Sequence, residues 1–568
     1  MSEATDQGAL AGAGAGVAAG TGTGSAAAFG SGGSLAVVGA RLRRNVAESG
    51  EGAPTAILIE GGVITAVGTD DEIRQAAPAG IEIIDARGGT LTPGLWDSHA
   101  HPDSGAVSTR GIDLGGVSTI AELRDRLAAE HARLAPGEWL EGWNLEYEMF
   151  EVGGIDRSAF EEVTGDRPVF LRFYDGHTGL ASGAALAAAG VEEPIRYPDG
   201  SETVVDETGR FTGELCEMSV LSFMTEAVPM ADLEAELDRL EAVLLRFAAA
   251  GLTGCAIMDG GPRTREMLRE LESRVRLPQR IVVHEWHRVH FTDADQDRII
   301  AAKDERGRLW EGGAVKLFSD GVIDTGTALL HELDTQGEGL RAAWPEWPEY
   351  LRVLGRYHDA GMLVATHAVG DRAVNDVLDA YADLPARAAG LPAHSIEHLE
   401  VMSDADVAKL GGSGITASMQ PLHMQWRRED NSDNWSQRLG EDRWGTGYRA
   451  QSVLDAGARL TLGSDWPVAD YDPRVGMAWA RGRHDPSAGQ APFEPGERLT
   501  GEDTLLAYTL WPALARGHSD RGHLSVGALG DVTLFGGDPV TAKPEALPGL
   551  PVLLTVVDGR VVHRSEGV

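Results

Sequence analysis

The stretch Thr92-Pro-Gly-Leu-Trp-Asp-Ser-His99-Ala-His101 is the point from which the fold of this chain can be read. An apolar run ends in two imidazoles at positions i and i+2. On a β-strand those positions face the same way, so both rings can reach one ion. A His-x-His pair also arises without function. Its meaning depends on the rest of the chain.

Seven further apolar runs lie C-terminal to it, with helix-like segments between most of them. With Leu91 to His99 as the first, they are Leu252 to Met258, Arg280 to Trp286, Ala314 to Phe318, Met362 to His367, His394 to His398, Ile415 to Met419 and Arg459 to Asp465. Strand–helix alternation predicts a parallel sheet, and eight units predict closure into a (β/α)₈ barrel. The interval between the first two strands is too long for a βα loop. It is read as an insertion over about residues 105–225 that covers the barrel mouth, with its own strand candidate at Pro168 to Phe173. The helix Leu233 to Ala249 leads back into the barrel.

Outside the barrel both ends are rich in strands and turns. Ala56 to Glu60 and Val63 to Val67 flank Gly61-Gly62, and Leu553 to Val557 and Arg560 to His563 flank Asp558-Gly559, which are hairpin signals. A small β domain built from both termini is the simplest reading. The expected divisions are a Gly/Ala-rich tail over 1–34, the first part of the β domain over 35–90, the barrel with its insertion over 91–525, and the second part of the β domain over 526–568.

Polar residues fall at the ends of these strands. Lys316 lies in the fourth, His367 ends the fifth, His398 the sixth and Asp465 the eighth. In a (β/α)₈ barrel those ends converge on the face that carries active sites. His99, His101, Lys316, His367, His398 and Asp465 are therefore the candidate metal residues, with Asp465, His398 and Lys316 also as candidates for the chemistry. Asp465 could alternatively cap a following segment. Lys316 is one of four lysines in the chain, beside Lys303, Lys409 and Lys543. A buried amine loses proton affinity and can take up CO₂ as a carbamate that bridges two ions; the alternative is an ion pair with Asp320 or another carboxylate. His177, in the insertion, is either a substrate contact or a loop residue. Asp97 and Asp371 are read as partners that orient the ligands. His331, His423 and His518 are read as ordinary histidines.

The motifs Pro93 to His101, Val315-Lys-Leu-Phe-Ser-Asp-Gly321, His367-Ala-Val-Gly-Asp-Arg-Ala373, Ile396-Glu-His398, Ala417-Ser-Met-Gln-Pro421 and Gly463-Ser-Asp-Trp-Pro-Val468 resemble the amidohydrolase superfamily. Within it they resemble the YtcJ-like branch, which includes N-substituted formamide deformylases. The resemblance runs from about residue 35 to the C-terminus. It implies a TIM-like barrel with a split β-sandwich, one or two Zn²⁺ or related divalent ions, and Asp465 as proton shuttle. It also implies hydrolysis of an amide or formamide C–N bond by metal-activated water. Deamination, or opening of a cyclic amide, would use the same site, and a non-catalytic metal-binding regulator is a third reading. Ser182-Gly-Ala-Ala-Leu186 and Gly527-Ala-Leu-Gly-Asp531 depart from the family pattern, the first bearing on substrate identity and the second on structure.

Composition fits this reading. The 568 residues carry a formal net charge of -38, a field that repels nucleic acid and anionic lipid and points to a small-molecule partner. No apolar run approaches a membrane span. Cys216 and Cys255 form no framework, which suggests the cytoplasm. A homodimer is left open. Trp143, Trp286, Trp344 and Trp347 hint at an aromatic-lined pocket.

Overall fold

The computed structural model describes residues 32–45, 53–150, 154–174, 176–197, 200–229, 233–388, 391–485 and 490–566. The tail expected over residues 1–34 lies, as far as residue 31, outside the described residues. Eight parallel strands form one sheet: β1 (Leu95–Ala100), β2 (Leu252–Gly260), β3 (Arg280–Trp286), β4 (Trp310–Phe318), β5 (Leu363–Ala368), β6 (Ser395–His398), β7 (Thr416–Met419) and β8 (Arg459–Leu462). They succeed one another in sequence order around the sheet, as crossover helices require. Trp96, Ala256, Met258, Val282, Ala314, Leu363 and Ala365 form one small buried cluster drawn from β1 to β5. Helices such as Trp347–Asp359 and Asp371–Ala382 bury their apolar stripes against the outside of the strands.

The seam between β8 and β1 closes beyond the last ladder. Asp465 N–H donates to His99 O at 2.7 Å, and His101 N–H donates to Trp466 O at 2.8 Å. Gly463 is required there, because a Cβ would stand 2.6 Å from His99 N. The first strand differs from the expected Leu91–His99. Thr90–Pro93 pairs with Val532–Phe535 in a separate sheet, and β1 begins at Leu95. The run is divided at Gly94, where a Cβ would collide with Thr253, so the chain passes from one sheet to the next without room for a side chain.

The termini build two packed sheets. One holds Val63–Gly68, Ala56–Glu60, Leu35–Val38 and Glu82–Asp85. The other holds Arg41–Leu42, Thr90–Pro93, Val532–Phe535, Val552–Val557 and Arg560–Arg564. Both hairpin turns have two residues of positive φ, Gly61 and Gly62 at 60° and 83°, Asp558 and Gly559 at 54° and 70°. Alternation then sorts the faces. Val532, Leu534, Leu554 and Val556 enter the core between the sheets. From the same strands, Thr533 donates to Gly251 O and Thr555 to Ala248 O, each at 2.7 Å, at the floor of the barrel.

The insertion forms a six-stranded sheet in the order Glu202–Val205, Phe211–Cys216, Thr178–Ala181, Val169–Phe173, Leu140–Leu145, Ile112–Asp113. It has its own buried clusters on its two sides. Among the described residues no helix is long and apolar enough to cross a membrane.

Arg280 joins barrel to terminal domain: its guanidinium contacts Asp531 and, at 3.3 Å, Asp558, all three nearly buried. Replacing Arg280 with Met leaves Asp531 without its cation, while Arg308 still holds Asp558, and loss of one partner of a buried ion pair costs about 3 kcal/mol or more. A clear fall in the urea or thermal midpoint is expected; an unchanged midpoint would contradict this role.

Candidate metal centre and active site

The strand ends bring the site together because closure of the seam fixes them. Asp97 accepts from His99 N–H at 3.1 Å, from Ser464 N–H at 3.0 Å and from Ser464 Oγ–H at 2.6 Å. It thus locks the end of β1 to the segment after β8. His398 and Asp465 both sit in the left-handed region, with φ of 76° and 60°. Strained backbone of this kind at non-glycine residues concentrates at functional sites.

Asp465 is the centre of the cluster. Its Oδ1 lies 3.0 Å from His101 Nε2 and 3.4 Å from His99 Nε2. Its Oδ2 lies 3.5 Å from His423 Nε2 and 3.9 Å from His398 Nδ1. His99, His398 and Asp465, all buried, each offer a donor atom within 4.8 Å of the others. Lys316 Nζ stands 3.2 Å from His99 Nε2, on the strand whose Ala314 faces the barrel interior. Three of the imidazoles back onto carboxylates. His99 Nδ1 is 2.7 Å from Glu397 Oε2, His101 Nδ1 is 3.4 Å from Asp259 Oδ2, and His423 Nδ1 is 3.5 Å from Glu400 Oε1. A carboxylate behind the ring fixes its orientation and raises its basicity as a ligand.

Burial sets the charge states. It drives His99 down to about 4, with Lys316 adding to the fall, and His367 to about 3. His398 falls well below the ordinary histidine range for the same reason. Burial works against His101 too, yet Asp259 and Asp465 hold it at about 9. The Lys316 ammonium drops to about 8 through burial, although Glu397, Asp465 and Asp259 resist. Burial would raise Asp465, but His99, His101 and His398 hold it well below the usual carboxylate range. Neutral imidazoles are the metal-binding form, which His99 and His398 already hold and which His101 reaches when an ion displaces its proton. Asp259 lies behind His101; against its burial, it is held below the ordinary carboxylate range mainly by that ring, so it steadies His101 as a prospective ligand. The donor set therefore fits a divalent ion.

The remaining residues singled out in the sequence take varied places. His367 Nε2 donates to Gly321 O at 2.9 Å, and its ring stacks on Phe318 at 4.8 Å and lies 4.4 Å from His398. Lys316 does not pair with Asp320, which accepts instead from the N–H groups of Leu329, Val369 and Gly370. His177 projects from the insertion, with Nδ1 2.8 Å from Glu217 Oε2. Asp371 caps locally, accepting from His331 N–H and Arg372 N–H, and orients no ligand. His518 pairs with Glu311 at 2.7 Å, away from the site. His423 differs from the expectation, since the turn after β7 carries it to Asp465. Asp259, Glu397 and Glu400 join the site without having been expected there. Each is a strand-end acidic residue, a signal shared in the sequence with many surface carboxylates.

A cavity of about 670 Å³ lies over the cluster. His99, His101, Lys316, His367, His398, His423 and Asp465 line its floor, and Trp143, Tyr147, Tyr174 and His177 from the insertion form a wall opposite. Trp286, Trp426 and Trp435 also line it. Of the other tryptophans, Trp344 is packed inside, donating to Phe318 O, and Trp347 stacks on Tyr350. A barrel with this cluster under a cover is the site of a metal-dependent hydrolase.

The chain belongs to the amidohydrolase family, whose profile matches residues 82–563. It is 26% identical to the N-substituted formamide deformylase of Arthrobacter pascens over 94% of this chain and 99% of that one. It is also 26% identical to a Bacillus subtilis (strain 168) protein named as the amidohydrolase YtcJ, over 90% of this chain and 96% of that one. The fold is that of an uncharacterized metal-dependent hydrolase from Pyrococcus horikoshii OT3, with a TM-score of 0.72 and 22% identity, covering 90% and 99% of the two chains.

Asp259→Asn should weaken metal binding roughly 10- to 100-fold by removing the carboxylate behind His101. Competition with a chromophoric chelator measures this, and unchanged affinity would show that Asp259 does not support the site.

Proposed function

We propose that this protein hydrolyses the C–N bond of an amide- or formamide-type small molecule. The observation that carries the reading is Asp465, one carboxylate whose two oxygens face four imidazoles at the floor of a covered cavity. A group so placed can take a proton on one side of a scissile bond and return it on the other. The similarity to a formamide deformylase supports the choice of bond.

His99, His101, His398 and Asp465 would hold Zn²⁺ or a related divalent ion. When bound, such an ion supplies Lewis acidity that favours loss of a proton from water and polarises the substrate carbonyl. Lys316, buried and close to His99 Nε2, is placed to add a carboxylate to the centre if it carries CO₂ as a carbamate. Asp465 accepts the proton that water gives up as its oxygen attacks the carbonyl carbon. The same proton passes from Asp465 to the nitrogen as the C–N bond breaks, giving a carboxylic acid and an amine. Glu397 and Asp259 keep His99 and His101 oriented throughout. His177, braced by Glu217, contacts the substrate from the cover, and the cover keeps bulk water from the reacting atoms. Both cysteines are free, which supports a reducing cytoplasm as the location.

Metal analysis of the purified protein, followed by assay of that sample on N-formyl and N-acyl amines, tests the reading. Turnover confined to aminated heterocycles or cyclic imides would refute it. His99→Asn should lose both bound metal and activity. Asp465→Asn should lower kcat by roughly 10²- to 10⁴-fold. Native mass measurement should show a labile CO₂ adduct that Lys316→Arg abolishes; an identical mass pattern in the variant would exclude the carbamate.

A further inference from the structure

Two arginines of the insertion share one carboxylate. Arg110 Nη2 lies 3.0 Å and Arg172 Nη1 3.1 Å from the same oxygen, Oε2 of Glu141, and all three side chains are nearly buried. One positive charge is left over. Arg110 also donates from Nε to Val107 O at 3.1 Å, whereas the bond from Nη1 to Glu141 is the one hydrogen bond Arg172 makes among the described residues. Arg172 Nη2 is buried with no partner, and Nε, on the same edge of the guanidinium, makes no hydrogen bond either. The side chain rises from the strand Val169–Phe173, with its guanidinium carbon 4.2 Å from the centre of the Phe170 ring. Phe170 thus holds one face of the group and Glu141 one corner, which leaves the Nε–Nη2 edge unused. Burial draws Arg172 down to about 10 against the pull of Glu141, with Arg110 adding to the fall, so it stays charged at neutral pH. Its side chain is only 10% exposed, yet it lines the cavity that has the Asp465 cluster at its floor. A buried cation without a counter-charge of its own is costly, and a bound anion would recover that cost. Arg288 lines the cavity too, but it is partly exposed over Trp286, where water already solvates it and an ion pair gains little.

We propose that Arg172 binds a carboxylate on the substrate through its Nε–Nη2 edge, so that the substrate is a formamide-type compound whose amine part is acidic. The inference rests on the C–N reading above and names the substrate class within it. Two parallel N–H donors on one edge match the two oxygens of a carboxylate, and such paired, charge-assisted bonds are the strong ones. A formyl group has no position for a second function, so the carboxylate belongs to the amine half. The substrate would then span the cavity, its C–N bond over Asp465 and its acid against the insertion sheet. Arg172 takes no part in bond breaking; it decides which amides are held.

The test uses the full metal-loaded chain and two substrates of one shape, an N-formyl amino acid and its primary carboxamide. The unmodified chain should favour the acid by about 10-fold or more in kcat/KM, chiefly through KM. Arg172→Gln should reduce that preference to within about 3-fold, and Arg172→Lys, which keeps the charge and loses the fork, should retain part of it. Both substrates are assayed on one sample, so the ratio does not depend on how much of a variant is folded. Arg288→Gln should keep most of the preference. Equal kcat/KM for acid and carboxamide in the unmodified chain, or a preference that survives in Arg172→Gln, would overturn the inference and leave the C–N reading standing. Absence of turnover on every N-formyl and N-acyl compound would remove that reading, and this inference with it.

Discussion

The Asp97 carboxylate ties barrel closure to the active site. By accepting from His99 N–H and from both the backbone and hydroxyl of Ser464, it joins the first strand to the segment after the last. That junction sets His99 and Asp465 side by side, and the backbone bond between them completes it. Burial pushes Asp97 up to about 6 while its three donors pull the other way, so the charge survives on those hydrogen bonds. The barrel is closed and the reacting centre is assembled by the same few contacts.

From that junction the site spreads outward in layers. Asp465 meets four imidazoles from three strand ends, those of β1, β6 and β7, and carboxylates stand behind three of the rings. The arrangement is costly in a buried volume unless positive charge balances it. Glu397 is kept well ionised, at about 2, by His99 and Lys316 against the burial that opposes them. The cluster therefore stores negative charge where a cation belongs, with neutral nitrogen donors in His99 and His398. The insertion sheet answers from above with aromatic side chains and the His177–Glu217 pair. The reacting bond would then lie between the polar floor and a cover of mixed aromatic and polar side chains.

The terminal domain serves the barrel by anchoring its floor. One face of each C-terminal strand fills the sandwich core while the opposite face reaches the chain at Ala248 and Gly251, just before β2. Arg280 extends that anchoring into β3. Strand alternation makes this double use possible, since neighbouring residues face opposite ways.

Local patterns in the sequence determined the eight strands, the two glycine-bearing hairpins and the order of His99, Lys316, His367, His398 and Asp465 along the barrel. Apolar runs and turn residues act over a few positions, and barrel closure results from their repetition. Gly94 shows where that logic stops: a single apolar run serves two sheets, and only the close approach of Thr253 divides it. The acidic partners Asp259, Glu397 and Glu400 cannot be told from surface carboxylates in the sequence, because their meaning comes from rings that approach them from other strands. His423 reads as an ordinary histidine for the same reason, since its turn leads back to Asp465 only after the barrel has closed. Local sequence supplies the donors; the tertiary structure decides which of them meet, because contact between distant strands depends on closure, register and burial together.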